Sequence, residues 1–337
     1  MTSRTAIRNS LALIATLLLS ATAQAQLFRA YLAPDGSDAN PCTLQQPCRL
    51  LPAALAAVAS GGEIWMLDSA NYNSGAVHIT KSVTILAVPG ALGSVVATGG
   101  NAIIINTVGV KVALRNLVIV PLPGGSGTNG IFMQSGTSLT VENCLIANLP
   151  GIGIYVGTTA SLRVTDSTIR DNGEQGLALL NGTRATVARA TISGNGLTGI
   201  FVSADVAGVT TTADIVNSTI DANADGITAS SVSASGAVKV SVRDSMISRS
   251  ATGVFAGSGL GASVTLSASN NVISNHSGVG MAVAGTGSRI WVSGNTVSDN
   301  ATGLNQAPGG LFESAGNNAV RNNGTDKSGT ITVVAME

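Results

Sequence analysis

From residue 130 onward, a glycine followed by an aliphatic residue keeps returning: Gly130, Gly153, Gly176, Gly199, Gly226, Gly253, Gly280 and Gly303. The intervals are 23, 23, 23, 27, 27, 27 and 23 residues. A period this steady marks one structural unit repeated along the chain. A second signature falls into line within the units. It reads Asn116-Leu-Val-Ile119, Asn143-Cys-Leu-Ile146, Asp166-Ser-Thr-Ile169, Arg189-Ala-Thr-Ile192, Asn217-Ser-Thr-Ile220, Asp244-Ser-Met-Ile247, Asn270-Asn-Val-Ile273 and Gly294-Asn-Thr-Val297. An alternating stretch such as Leu139-Thr-Val141 or Leu162-Arg-Val164 comes before it, which turns one strand face inward and the other outward. Six residues after the signature opens, an asparagine recurs at Asn172, Asn195, Asn223, Asn300 and Asn323.

Two or three short strands per unit, with asparagines at fixed turn positions, describe one coil of a parallel solenoid whose coils stack about 4.8 Å apart. Asparagine suits the turns because its amide bonds to the coils above and below and it tolerates left-handed backbone angles. No unit contains a stretch with helical periodicity, which sets aside leucine-rich and helical repeats. Less regular strands at 64–67, 77–86, 94–96 and 102–106 bring the expectation to about eleven coils. The first coil of a solenoid exposes unpaired backbone and an apolar interior. Residues 50–58, with Leu51, Leu55 and Val58 on one side, are expected to form a short helix that plugs that end. At the other end Thr330 to Val334 has no such helix. Either residues 305–329, read as irregular, cap it, or the edge pairs with a partner.

The first 25 residues read as a secretory leader: Arg4 and Arg8, then apolar Leu11 to Leu19, then Ala23-Gln24-Ala25 as a small-x-small cleavage site. This places the protein outside the cytoplasm, secreted or periplasmic. Residues 26–62 form an N-terminal cap and 63–337 the solenoid. No later stretch approaches the ~20 apolar residues of a membrane-spanning helix. Cleavage after Ala25 leaves 312 residues with 15 basic and 17 acidic side chains. That near-neutrality argues against nucleic acid or an anionic membrane as the main partner. With 10% charged but 45% hydrophobic residues, the chain is too apolar to be disordered. Cys42 and Cys48 flank a short turn in an exported chain, so a local disulfide is expected. Closing so short a loop stabilises by about 2 kcal/mol in the chain-entropy model. Cys144 reads as a small buried apolar residue.

With its opening Tyr31-Leu-Ala-Pro-Asp-Gly-Ser-Asp38, Gly61-Gly-Glu-Ile64 and the strand Ile79 to Ile85, the chain resembles exported bacterial proteins of the right-handed parallel β-helix, pectin-lyase-like kind. The likeness covers nearly all of the mature chain. It implies an all-β, single-stranded right-handed parallel β-helix with a short N-terminal capping helix. Relatives that cleave acidic polysaccharides gather carboxylates on adjacent coils around Ca²⁺, with an Arg or Lys base, or set two or three Asp side chains close together. Reading columns down the stack tests for either. One outward column is Thr140, Arg163, Thr186, Asp214, Ser241, Ser267 and Trp291; another is Glu142, Thr165, Ala188, Val216, Arg243, Ser269 and Ser293. Neither stacks two acids on neighbouring coils. Glu142 beside Arg163 reads as one exposed ion pair, and Asp171, Glu174, Asp221 and Asp225 as solvated turn acids. His276 is expected in a turn of the asparagine column, and His78 outward on a strand without an acidic or cysteine partner. No catalytic residue is assigned, and no metal or cofactor is implied.

One column stands out: Phe132, Tyr155, Ala178, Phe201, Thr228, Phe255, Ala282 and Asn305. Its neighbours along each strand are aliphatic, so alternation points it outward. Just beyond it the 27-residue units carry extra residues around Ser203 to Gly208, Ser230 to Gly236 and Gly257 to Gly261. Phe132, Tyr155, Phe201 and Phe255 thus read as ligand-binding residues on an outward stripe beside a wall of loops, suited to an extended polysaccharide. The competing reading folds those loops back over the rings. The function expected is a non-catalytic exported β-helix that binds a glycan. The alternative is a polysaccharide lyase, hydrolase or epimerase of the same fold.

Overall fold

The computed structural model describes residues 26–233 and 235–334. The leader therefore lies outside the described residues. Among the described residues the strands pair in parallel, and one sheet of thirteen strands runs from Leu27–Leu32 to Ile331–Val333. From Val58–Met66 onward its twelve strands bound eleven successive coils, matching the sequence expectation. The other strands close the remaining faces of the tube.

One coil shows how the sequence makes the turn. Ser161–Thr165 lies on the long sheet, Thr168–Arg170 follows after one corner, and Leu177–Leu180 after a second. The corners are Asp166 at φ 51° and Asp171 at φ 56°. Both angles lie in the left-handed region, which Asn and Asp enter more readily than other L-residues. Asn116, Asn143, Asn217, Asp244, Asn270 and Gly294 occupy the first corner in other coils, at φ between 48° and 65°. Inward Leu162, Val164, Ile169, Leu177 and Leu179 are all buried. Each coil supplies such a set, and together they form one continuous core.

The glycine period has a steric cause that the sequence did not disclose. These glycines have no positive φ. Instead, a Cβ on Gly153 would lie 2.6 Å from the carbonyl oxygen of Gly176, and one on Gly176 2.8 Å from that of Gly199. The contact recurs along the column, so the glycines mark where a side chain would strike the backbone of the next coil.

The asparagines do two separate jobs. Those at the corners relieve backbone strain at the surface, whereas the later column is an internal ladder. Asn172 donates from Nδ2 to Oδ1 of Asn195 at 2.9 Å, and Asn195 donates likewise to Asn223 at 2.8 Å. All three are buried. A second ladder, absent from the sequence reading, sits one residue after the first corner. Cys144 donates its N–H to Oγ of Ser167, Ala190 to Ser218, and Ser218 to Ser245. Asparagine then takes over through Asn271, Asn295 and Asn318. Serine and asparagine can both accept at this position, so no single residue type marks it.

The capping helix spans Leu51–Ala57 and buries Leu51, Ala54 and Leu55. Its start is held by Asp38, whose Oδ1 accepts from the N–H groups of Arg49 and Leu50 at 2.9 and 2.8 Å. The Cys42–Cys48 disulfide is present, with Cα atoms 4.6 Å apart. Cys144 is buried and free, and burial pushes its thiol up to about 11. The far end corrects the sequence reading. Residues 305–329 are not an irregular cap, because Thr302–Gln306, Leu311–Ser314, Ala319–Arg321 and Thr325–Ser328 continue the coils in register. Their pattern is hard to see in sequence because polar, exposed residues replace the aliphatic ones in the last strands.

Candidate functional site

The outward stripe is in register. Phe132 pairs with Tyr155, Tyr155 with Ala178, Ala178 with Phe201, Phe201 with Thr228, and Thr228 with Phe255. The column also reaches back through Ile104 to His78. The Phe132 and Tyr155 rings stack at 4.5 Å between centroids, 18° from parallel. The rings are half-buried because two lie down along their own strands. A Cβ on Gly157 would meet the Tyr155 ring, and one on Gly257 the Phe255 ring. Glycine two positions after the aromatic therefore leaves room for the ring to lean over its own strand. The Tyr-x-Gly and Phe-x-Gly spacing is the signal in the sequence that marks this posture.

The long loops run between Thr198–Ser203 and Thr210–Val216, between Asp225–Ser231 and Ala237–Arg243, and between Thr252–Ser258 and Ser263–Ser269. Their apolar side chains stand in solvent: Val206 is 49% exposed, Val232 63% and Leu260 69%. These three side chains are therefore not buried against the sheet.

The polar readings change in two places. Glu142 pairs with Arg115 at 3.0 Å, not with Arg163. The register sets Arg115 directly beside Glu142, whereas Arg163 lies beside Thr140 and Thr186. Asp221 is not a solvated turn acid. It is buried, accepts from Ser248 Oγ at 2.6 Å, and pairs with Arg249 of the next coil. Asp171 is exposed and pairs with its neighbour Arg170. His78 is exposed on its strand.

His276 stands in the internal ladder, where it imitates an asparagine. Its Nδ1 accepts from Ser250 N–H at 3.2 Å, and its Nε2 donates to the Ile247 carbonyl at 3.1 Å. These are the roles of Asn223 Oδ1 and Nδ2 two coils away. Both roles are filled by the neutral ring protonated at Nε2, a tautomer set by the surrounding bonds. Burial holds its pKa below the ordinary histidine value. The native state therefore resists a proton that the unfolded chain takes up near pH 6.5. Stability is expected to fall as the pH drops below that value, and His276→Asn should flatten the fall by keeping both hydrogen bonds. Urea denaturation at pH 7.5 and 5 checks this; equal losses in the two proteins would remove His276 as the cause.

Residues 101–266 match the family model described as right handed beta helix region. No curated protein matches the chain by sequence. Among solved structures, pectate lyase Pel9A superposes with a TM-score of 0.54 at 16% identity, over 91% of this chain and 77% of that one. The A-module of mannuronan C-5 epimerase AlgE6 from Azotobacter vinelandii gives 0.52 at 14% identity, over 85% and 95%. The Dettilon tailspike protein gives 0.57 at 14% identity, over 90% and 68%. At such identities the likeness is one of fold.

Proposed function

Since the chain is a right-handed parallel β-helix repeat protein of pectin-lyase-like architecture, we propose that it is exported and grips an extended glycan on its aromatic stripe without cleaving it. The observation that carries this is the spacing of the rings. Tyr155, Phe201 and Phe255 occupy alternate coils of one outward column, roughly 9–10 Å apart at the inter-strand spacing. That is close to the length of a disaccharide in an extended pyranose chain. A flat ring stacks on the C–H face of a sugar and needs few hydrogen bonds, so one polymer can lie along the rod and touch a ring at every second residue. Export rests on the leader read in residues 1–25.

A second reading, a carbohydrate-active enzyme, is favoured by the fold shared with a pectate lyase and a mannuronan C-5 epimerase. Fold is a weak warrant for chemistry. A polysaccharide panel scored both for retention and for release of unsaturated or reducing ends separates the two. Retention without release is expected; release would establish the enzyme. In the stripe itself, Phe201→Ala with Phe255→Ala should weaken retention at least tenfold, since each ring surface covered contributes about 1.5–3 kcal/mol. The melting temperature should barely move, because the rings are only half-buried. A large drop in melting temperature with unchanged retention would show the rings to be structural.

A further inference from the structure

The near-zero charge of the chain conceals a segregation that the fold creates. Strands of the thirteen-stranded sheet carry eight basic and four acidic side chains, and the remaining described residues seven basic and twelve acidic. Three of the sheet's acids are taken up in pairs, Glu63 with Arg29, Glu142 with Arg115 and Glu313 with Arg289. Against the one acid left, Asp214, stand Lys111, Arg163, Arg184, Lys239 and Arg243. All five are exposed and make no side-chain hydrogen bond or ion pair among the described residues.

From this we infer a second binding face, distinct from the aromatic stripe, for an extended anionic polysaccharide bearing carboxylate or sulfate groups. Three observations support it. The outer face of the sheet holds two adjoining shallow depressions of about 290 and 400 Å³, which share Ser138 and Thr140. They run from Gly61 to Asp214 across seven strands, a length of about 29 Å at the inter-strand spacing. Their floor is made of small residues such as Ala113, Ser138 and Thr186, and Lys111, Arg163 and Arg184 line them. Beyond the groove the same column continues through Lys239 to Arg289, whose charge Glu313 offsets, so the unpaired cations of the column are Lys111, Arg184 and Lys239, three and two strands apart.

That recurrence decides the class of ligand. One unpaired cation of the column in roughly 10–14 Å suits a single-stranded polyanion that needs a contact only at every second or third sugar. Duplex DNA carries a charge every ~1.7 Å of its axis, and most of its phosphates would find no cation here. An anionic bilayer selects clustered basic residues, whereas these are single side chains separated by serine and threonine.

The test uses the mature chain immobilised against polygalacturonate, dextran sulfate, neutral dextran, duplex DNA and phosphatidylglycerol vesicles. The wild type should retain polygalacturonate or dextran sulfate at least tenfold better than neutral dextran, and whichever is stronger identifies the anionic group. The double variant Arg184→Gln with Lys239→Gln should lose at least tenfold in that affinity and become less sensitive to salt. The charge-keeping pair Arg184→Lys with Lys239→Arg should retain it. Because the site is separate from the stripe, Phe201→Ala with Phe255→Ala should leave anionic binding intact even if the glycan reading of the stripe fails. Wild-type affinity in the glutamine variant, no preference over neutral dextran, or stronger retention of DNA or vesicles would each overturn the assignment.

Discussion

Replacing Asn195 with leucine is expected to cost about 3–5 kcal/mol of stability, far more than a residue at a turn would suggest. Its Oδ1 accepts both from the Asn172 N–H at 3.2 Å and from Asn172 Nδ2 at 2.9 Å. Leucine has the same branched outline and is bulkier, so the space stays filled, but two donors are left without acceptors among residues only 1–4% exposed. An unsatisfied buried polar group costs about 1–3 kcal/mol. Asparagine at a corner provides the contrast. Asn217 sits at φ 48°, and the equivalent position in a later coil is Gly294. Asn217→Gly should therefore change stability by no more than about 0.5 kcal/mol. Because each coil contacts chiefly its neighbours, unfolding need not be all-or-none. Hydrogen exchange resolved along the chain is the suitable measurement, with protection lost first around residues 172–223. Equal effects of the two substitutions would mean that the buried ladder carries no more load than the corners.

These two kinds of asparagine show what the sequence made legible. Period, strand alternation, the capping helix and the local disulfide were all readable, because each depends on residues close in sequence or on a repeat long enough to average out exceptions. The difference between a corner and a ladder was not, since it depends on which side of the tube wall a polar side chain lies. Ser250 occupies the same ladder as Asn223, His276 and Asn300, and only its partner reveals it, whereas the period alone placed His276 there. The same holds for charge. Lys111, Arg184 and Lys239 are scattered across more than a hundred residues, and their common column appears only once the register is fixed. A chain-wide sum hides such a face, because the compensating acids lie off this sheet, in corners, loops and shorter strands. Coil by coil, Lys111 shares a turn of the solenoid with Phe132, Arg184 with Phe201, and Lys239 with Phe255. Three of the rings thus share a coil with a cation, on two faces separated by the long loops.

A single added methyl group is expected to have a large effect at Gly199. A Cβ there would sit 2.8 Å from the Gly226 carbonyl oxygen, 2.8 Å from Asn223 Nδ2 and 3.0 Å from Ile220 Cγ2. The first of these is backbone of the next coil and cannot swing aside. Relief requires the coils to move apart, which stretches the ladder bond from Asn195 to Asn223 as well. Overpacking of this kind costs about 1–3 kcal/mol where a side chain can yield, and Gly199→Ala should reach at least the top of that range. Gly75 is the control: a Cβ there meets nothing within 4 Å, and its φ is not positive. Gly75→Ala should be neutral or stabilise by about 0.4–1 kcal/mol through the unfolded chain. Thermal melts of the two variants decide the matter. If Gly199→Ala melts with the wild type, the coils do not approach as closely as the glycine column requires, and the period needs another cause.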